Sequence, residues 1–386
     1  MQKILFMANT LYSGGAERVL QTVLNYLDRD KYEITLYSLH RENIDRDIYI
    51  KPFNYRVVFD KYNGKNVLIK ILSKIYLKIK GLIFNYCPIE VFNFLFIRGR
   101  YDVEIAFIEG ESTKIVSGSG NKNSKKLAWV HIDLEKNPWT SFLYKSDLDE
   151  RNHYNKYDQI ICVSEATRQA FLRKYHIDKE KVIVHYNPID TQFILNKSSE
   201  LSICLKQDII HIMAVGRLVE QKGFDRLLEA VEKLKQKNMV FQLHILGEGK
   251  QKEDLQSYVT EHDLDKYVKL YGYVKNPYTI MRAGDILVCS SRAEGYSLVI
   301  AEAMVLGLAI ITTNCSGPYE LIDGGKYGIL TENSTEGIYE ALEHVLKNKK
   351  ILERYKALAL ERSKMFNVQH NIQAIEQIID KRNRER

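Results

Sequence analysis

The feature that most constrains this chain is a rhythm. Short, almost wholly apolar runs alternate with longer amphipathic ones, and the pattern plays twice. In the first half, residues 3–8, 33–39, 103–107, 126–130, 159–163 and 181–185 read as strands, with helices over 16–27 and 165–175. In the second half, 209–215, 240–246, 268–271, 285–291 and 309–312 read as strands, with helices over 224–236, 250–261 and 296–306. Strands that lack a polar face must be covered on both sides, so they belong to parallel sheets with helices packed above and below. A length of 386 residues suits two such α/β domains. The polar stretch 187–207 reads as the linker, giving domains of 1–190 and 191–386, with a C-terminal helix that can pack back on the first. Ligands in these folds bind beyond the carboxyl ends of the strands, so two facing domains would hold a site in the cleft between them.

Several classes fall away. The five cysteines (87, 162, 204, 289, 315) show no C-x-x-C spacing. That pattern fits reduced core thiols in a cytosolic protein, not disulfides or a zinc site. The first apolar run is too short for a signal peptide, and no run of about 18 apolar residues is present to span a bilayer.

Charge is unevenly spread. Residues 61–100 hold eight Lys/Arg against the single acid Glu90, which accounts for the whole net charge of +7. Lys70, Lys74 and Lys78 repeat at i, i+4 among Val67, Leu68, Ile71, Leu72, Ile75, Ile79, Leu82 and Ile83, which predicts a basic amphipathic helix. Two readings stand side by side: a core-packed helix with a solvated lysine face, and a surface that docks on anionic lipid headgroups. No fold motif for nucleic acid accompanies the basic stretch.

The strongest chemical motif is Glu294-Gly295-Tyr296-Ser297-Leu298 leading to Glu302. The strand over 285–291 and the helix over 296–306 place Glu294 and Gly295 in a tight turn and Glu302 in the second helical turn. A helix N-terminus offers unpaired N–H groups to an anion, and Gly295 lets a ligand approach the backbone. Eight residues are slightly over two helical turns, so both carboxylates can share one side. Such a site can hold a sugar nucleotide; the plain alternative is a capped helix with two solvated glutamates.

Other motifs keep this one company. Gly14-Gly15-Ala16-Glu17 follows the first strand; Trp129-Val130-His131, Val163-Ser164-Glu165 and Asn187-Pro188-Ile189-Asp190 come next. Then follow Gly216-Arg217-Leu218 through Lys222-Gly223, Gly247-Glu248-Gly249, Gly272-Tyr273-Val274 and the Glu294/Glu302 pair. In this order they resemble the retaining glycosyltransferases of family 4, which have the GT-B fold of two Rossmann-like, doubly wound domains facing across a cleft. Ser316 to Leu321 resembles the branch that builds bacterial capsule, lipopolysaccharide or glycan repeat units.

The resemblance implies roles. Arg217 and Lys222 would neutralise the donor diphosphate as negative charge develops on it. Glu302 would accept hydrogen bonds from the nucleotide ribose, and Glu294 would contact the transferred sugar. Gly295 and the backbone N–H groups of Tyr296, Ser297 and Leu298 would meet phosphate or sugar, and the backbone of Val274 would read the base. Family members often carry Phe at position 296 and Gly or Pro at 297, so Tyr296 and Ser297 bear on sugar choice. Gly14 and Gly15 would bring a helix N-terminus to the diphosphate or acceptor, and His131 would bind the donor sugar. Asp147/Asp149 and Asp45/Asp47 have D-x-D spacing but read as solvated charges, so neither metal nor another cofactor is implied.

The reaction so implied moves a sugar from a nucleoside diphosphate sugar, a UDP-sugar in this branch, with retention. The acceptor is a saccharide or a polyprenyl-diphosphate-linked saccharide, reached by a cytoplasmic enzyme at the inner face of the membrane. A sugar-nucleotide epimerase of the same fold and a non-catalytic nucleotide- or lipid-binding partner are the other classes.

Overall fold

The computed structural model describes residues 1–11, 14–41, 49–62, 64, 66–201, 203, 205 and 208–380. The chain divides into two units, one of Met1–Pro188 together with the segment from Gln369 on, the other of Ile189–Val368.

The first unit is built on seven parallel strands: β1 Gln2–Ala8, β2 Tyr32–His40, β3 Asn54–Phe59, β4 Val103–Ala106, β5 Lys125–Val130, β6 Gln159–Cys162 and β7 Val182–Val184. Their order is β3-β2-β1-β4-β5-β6-β7. Every pairing is parallel, with Ile4 beside both Ile34 and Val103. The second unit has six: β8 Ile210–Val215, β9 Phe241–Leu246, β10 Val268–Leu270, β11 Ile286–Cys289, β12 Ala309–Thr313 and β13 Ile329–Thr331. Their order is β10-β9-β8-β11-β12-β13, again all parallel. Each sheet winds outward from its first strand, then crosses back and winds the other way. The reversal falls between β1 and β4 in one unit and between β8 and β11 in the other, and such points open a crevice at the carboxyl ends of the strands.

Period-two alternation sorts the second unit's core onto two faces. Ile212, Ala214, Ile286 and Val288 pack with Leu227, Leu228 and Val231 of the Phe224–Gln236 helix. Met213, Leu287 and Ile310 pack with Ile300, Ala303 and Met304 of the Leu298–Val305 helix. Side chains such as these each contribute roughly 1.5–3 kcal/mol when fully buried.

Three expectations need correction. Residues 187–207 are not all linker: Thr191–Ser198 is a helix, capped where the Asp190 side chain accepts from the Phe193 N–H at 2.9 Å. Its Ile194 is buried in the second unit's core. The last helix, Val368–Asp380, belongs with the first unit. There Asp28 N–H donates to Glu376 at 3.2 Å, Tyr32 OH donates to Asp380 at 2.9 Å, and the Lys125 ammonium donates to the Ile378 carbonyl. Strands β3 and β13 were not anticipated; both are edge strands with little buried surface. The helix expected over 296–306 begins only at Leu298. Glu294 to Ser297 are therefore loop, and the helical-period argument for pairing Glu294 with Glu302 does not apply.

Candidate functional site

Two loops meet at the β8/β11 crevice of the second unit. One runs from Gly216 through a short 3-10 turn, Glu220–Lys222, into the Phe224–Gln236 helix. Gly223 makes that entry at φ +64, where a Cβ would also strike the Ser290 carbonyl, so only glycine fits. The other loop runs from Ser290 to Ser297 into the Leu298–Val305 helix. Hydrogen bonds stitch the loops together. Arg292 N–H donates to the Gln221 carbonyl at 2.7 Å, the Gln221 amide to the Ala293 carbonyl at 2.8 Å, and Ser290 Oγ to the Lys222 carbonyl at 2.9 Å. Arg292 also clamps Asp225 through both terminal nitrogens, at 2.8 and 2.6 Å.

This lacing delivers Lys222 to Glu294 as an ion pair. Ser291 Oγ donates to the same Glu294 oxygen at 2.9 Å. Burial opposes the lysine's charge, but the Glu294 carboxylate outweighs it, and the Lys222 pKa ends above its ordinary value despite a push downward from Arg217. Glu294 is only 8% exposed, whereas Arg217 is exposed. Glu302 is buried too, and Tyr278 OH donates to it at 3.0 Å. Ser297, at the start of the helix, makes no side-chain cap bond. Some helices elsewhere are capped, by Asn66, Ser146, Ser164, Asp190, Ser334 and Asn348, whereas others, Gly15–Tyr26 and Phe224–Gln236 among them, are uncapped like this one. The Leu298 helix therefore keeps N–H groups that a side-chain cap would have taken. Val274, half-buried against the core, follows Gly272, whose carbonyl accepts from the Gly247 N–H at 2.9 Å.

In the first unit the β1/β4 crevice is quite different. Asn9, just past β1, donates to the Glu109 carbonyl at 2.7 Å and accepts from the N–H and hydroxyl of Ser112 at 2.9 and 2.6 Å. The Glu109 carboxylate accepts from the His131 N–H at 3.2 Å. Burial pushes Glu109 up to about 7, although that N–H and the Trp139 indole pull the other way. Burial pushes His131 down to about 4, so its ring is neutral. The ring Nε2 lies 2.8 Å from the Phe107 carbonyl, which can only accept, so Nε2 carries the proton and Nδ1 is an acceptor. Gly14 precedes the Gly15–Tyr26 helix without a side-chain cap bond. A Cβ there would collide with the Glu17 carboxylate, which also accepts from Thr10 Oγ1 at 2.6 Å. Glu17 thus has a place beside the helix start that sequence reasoning did not give it.

Two family models match the chain, one described as Glycosyltransferase Family 4 over residues 13–193 and one as Glycosyl transferases group 1 over residues 203–362. A Campylobacter jejuni relative is 30% identical over 373 residues, covering 95% of this chain and 96% of its own. The chain belongs to glycosyltransferase family 4.

That relative is named N-acetylgalactosamine-N,N'-diacetylbacillosaminyl-diphospho-undecaprenol 4-alpha-N-acetylgalactosaminyltransferase. An Escherichia coli UDP-Gal:alpha-D-GlcNAc-diphosphoundecaprenol alpha-1,3-galactosyltransferase is 28% identical over 200 residues, covering 50% of this chain and 52% of its own. Among solved structures, Anabaena Alr3699/HepE in complex with UDP and glucose superposes with a TM-score of 0.76 at 19% identity, covering 98% of this chain and 99% of that one. The fold is thus GT-B, and this glycosyltransferase is an enzyme.

The structure of this glycosyltransferase brings Lys222, Glu294 and Ser297 together around β8 and β11, with Arg217 close enough to oppose the lysine's charge; Gly295 lies in the same loop but does not line that pocket. Sequence reasoning missed Asn9, Glu109 and Ser291. Each lies just beyond a strand's carboxyl end, which is the one signal that could have raised them. Asp149 is a helix-start acid that accepts from the Lys145 N–H at 3.0 Å, while Asp45 and Asp47 lie outside the described residues. Among the described residues no group of His, Cys, Asp and Glu is placed to hold a metal ion.

The basic helix spans Val67–Tyr86 and is not core-packed in the expected way. Its buried residues are Lys80 and Phe84. Leu68, Leu72, Ile75, Ile79 and Leu82 are each about half exposed or more, and Lys70, Lys74 and Lys78 flank them in solvent. Among the described residues no helix is long and apolar enough to cross a membrane.

Proposed function

We propose that the enzyme transfers a sugar, with retention, from a UDP-sugar to a polyprenyl-diphosphate-linked saccharide in bacterial surface-glycan synthesis. The observation that carries this reading is the Lys222–Glu294 pair, set at the strand-order reversal beside a helix start that no side chain caps. In it, Arg217 and Lys222 hold the diphosphate while the uncapped N–H groups at Ser297 and Leu298 meet phosphate or sugar. Glu302 takes the ribose hydroxyls, Val274 reads the base, and Glu294 exchanges part of its hold on Lys222 for the donor sugar. The neutral His131, with Nδ1 as acceptor, suits a sugar hydroxyl, and Gly14 and Gly15 suit close approach of the diphosphate or acceptor. The bond from the anomeric carbon to the diphosphate breaks on the face where the acceptor oxygen bonds. The acceptor's proton passes to the departing phosphate oxygen, so UDP leaves and no protein nucleophile is needed.

The exposed apolar stripe of the Val67–Tyr86 helix supports peripheral docking. An apolar face of that size in water calls for a partner, and its lysine flank fits an anionic bilayer. The relatives' diphospho-undecaprenol acceptors would lie in such a bilayer. The test is UDP release from a panel of UDP-sugars, with and without a polyprenyl-diphosphate saccharide. Acceptor-dependent release with an α-linked product supports the reading; conversion of the donor with no acceptor favours an epimerase, and UDP binding without turnover a non-catalytic partner.

A further inference from the structure

The first unit contains a cavity of about 1060 Å³ beside β3, walled by the Val67–Tyr86 and Ile89–Phe96 helices. Among the described residues, five cationic side chains line it against one carboxylate, Asp60. Arg41 clamps Asp60 through two nitrogens at 2.7 and 2.6 Å, which offsets much of that carboxylate. Lys51 is engaged by the carbonyls of Tyr26 and Leu27 at 3.4 and 2.9 Å. Arg56, Lys80 and Arg98 make no ion pair among the described residues, although Asp60 still acts on Lys80 at longer range.

These three are an unusual set to leave together. Lys80 is 5% exposed, and its ammonium has the Val58 carbonyl as its hydrogen-bond partner and the Phe96 ring 4.2 Å away. Burial, with Arg98 acting in the same direction and Asp60 opposing, lowers its pKa to about 8. Arg56 donates from Nη1 to the Arg98 carbonyl at 2.8 Å and to Tyr37 OH at 3.2 Å, which fixes the Arg98 backbone while its other nitrogens stay available. Lys80 and Arg98 repel one another and Lys80 is desolvated, a free-energy cost that an anion placed beside them would recover. Two guanidinium forks and an ammonium match the oxygens of a phosphate. The cavity also borders Tyr76, on the helix whose apolar stripe faces solvent.

We infer that this cavity is a second anion site, for a phosphate or diphosphate ester, with Arg56, Lys80 and Arg98 as its ligands. The group could arrive on a membrane lipid or in a soluble molecule; the lipid source rests on the acceptor reading above, and the anion site itself does not. The probe is inorganic diphosphate, titrated into the full-length enzyme saturated with UDP so that the nucleotide site is filled. Arg56→Gln and Arg98→Gln change exposed side chains, and each should weaken binding on the order of tenfold, with the double variant weaker still. Flotation with phosphatidylcholine vesicles containing polyprenyl phosphate, against vesicles of matched charge containing phosphatidylserine, separates the sources. Preference for the polyprenyl phosphate vesicles, lost in the double variant, assigns the site to a lipid; diphosphate binding without that preference assigns it to a soluble phosphate. Diphosphate affinity that is absent in the UDP-saturated enzyme, or unchanged in the double variant, overturns the proposal. Acceptor-dependent UDP release by the wild-type enzyme tests the catalytic reading separately. Its absence would count against that reading and leave the diphosphate-binding result standing.

Discussion

At the β8/β11 crevice a lysine and a glutamate meet as ions, and the lysine is held more firmly charged than usual. At the β1/β4 crevice a glutamate and a histidine are both driven by burial toward neutrality. Both crevices arise from the same reversal of strand order, so topology supplies the place and side chains supply the chemistry. A charged crevice suits a group whose charge grows during reaction, as a departing diphosphate does. A neutral, hydrogen-bonded crevice suits orientation of uncharged hydroxyls, where a fixed tautomer matters more than a field.

The comparison breaks most readily through Arg217 and Lys222. Arg217→Ala and Lys222→Ala should each lower kcat by about 2.7–4 kcal/mol of transition-state stabilisation. Arg217 is exposed, so its variant should keep the wild-type melting temperature. Lys222→Ala leaves Glu294 almost buried with Ser291 as a donor but no cation beside it, so stability should fall as well. Wild-type turnover in both variants would remove charge from the account of the second crevice.

Glu109 sharpens the other side. Between about pH 4.5 and 7 the folded chain keeps a proton on Glu109 that the unfolded chain has lost, so its contribution to stability falls as pH rises through that window. His131, His153 and His244, each lowered from 6.5 to about 4 by burial, act in the opposite sense. For them the unfolded chain holds the extra proton, and stability falls as pH drops from about 6.5 toward 4. Glu109→Gln should therefore steepen the rise of stability with pH, gaining up to about 3 kcal/mol on wild type between pH 4.5 and 7. Denaturant melts across that range read the slope, and parallel curves for the two proteins would show Glu109 to be ionised in the fold.

The sequence made the second crevice far more legible than the first. Apolar runs locate β8 and β11 within a residue or two, and glycines mark the turns that bring Lys222 to Glu294. Glu302 is buried, but its link to Tyr278 spans two helices and leaves no local trace in the sequence. Asn9 and Glu109 are a hundred residues apart and meet because β1 and β4 are neighbours, which depends on the strand order. Lys80 shows the limit from another side. Four lysines in one helix look alike in sequence, and tertiary packing buries one of them while leaving most of the leucines and isoleucines outside.

That inverted helix belongs to the first unit alone and extends the contrast to surfaces. Each lysine near an anionic bilayer contributes about 1 kcal/mol, so replacing Lys70, Lys74 and Lys78 with glutamine should weaken binding to anionic vesicles by roughly a hundredfold. Residual binding through the apolar stripe should then be insensitive to salt, whereas wild-type binding should fall as salt screens the lysines. Vesicle sedimentation measures both, and equal wild-type binding to neutral and anionic vesicles would confine the surface to apolar contact.

The smallest expected effect is none at all, and it tests whether the charged crevice is sufficient. A donor diphosphate must be neutralised by something as the bond to the sugar breaks, and in many enzymes a divalent cation does so. Here Arg217 and Lys222 offer two positive charges at the place where the diphosphate is proposed to lie. The D-x-D pair within the described residues, Asp147 and Asp149, is spent at a helix start, where carboxylates offset the backbone dipole. Turnover measured after exhaustive treatment with EDTA should therefore match the untreated enzyme. If EDTA abolishes turnover and magnesium or manganese restores it, the two cations are not enough. Repeating the assay with Lys222→Ala would then ask whether added metal compensates for the missing charge; rescue there, with no effect on wild type, would define the lysine as the metal's replacement.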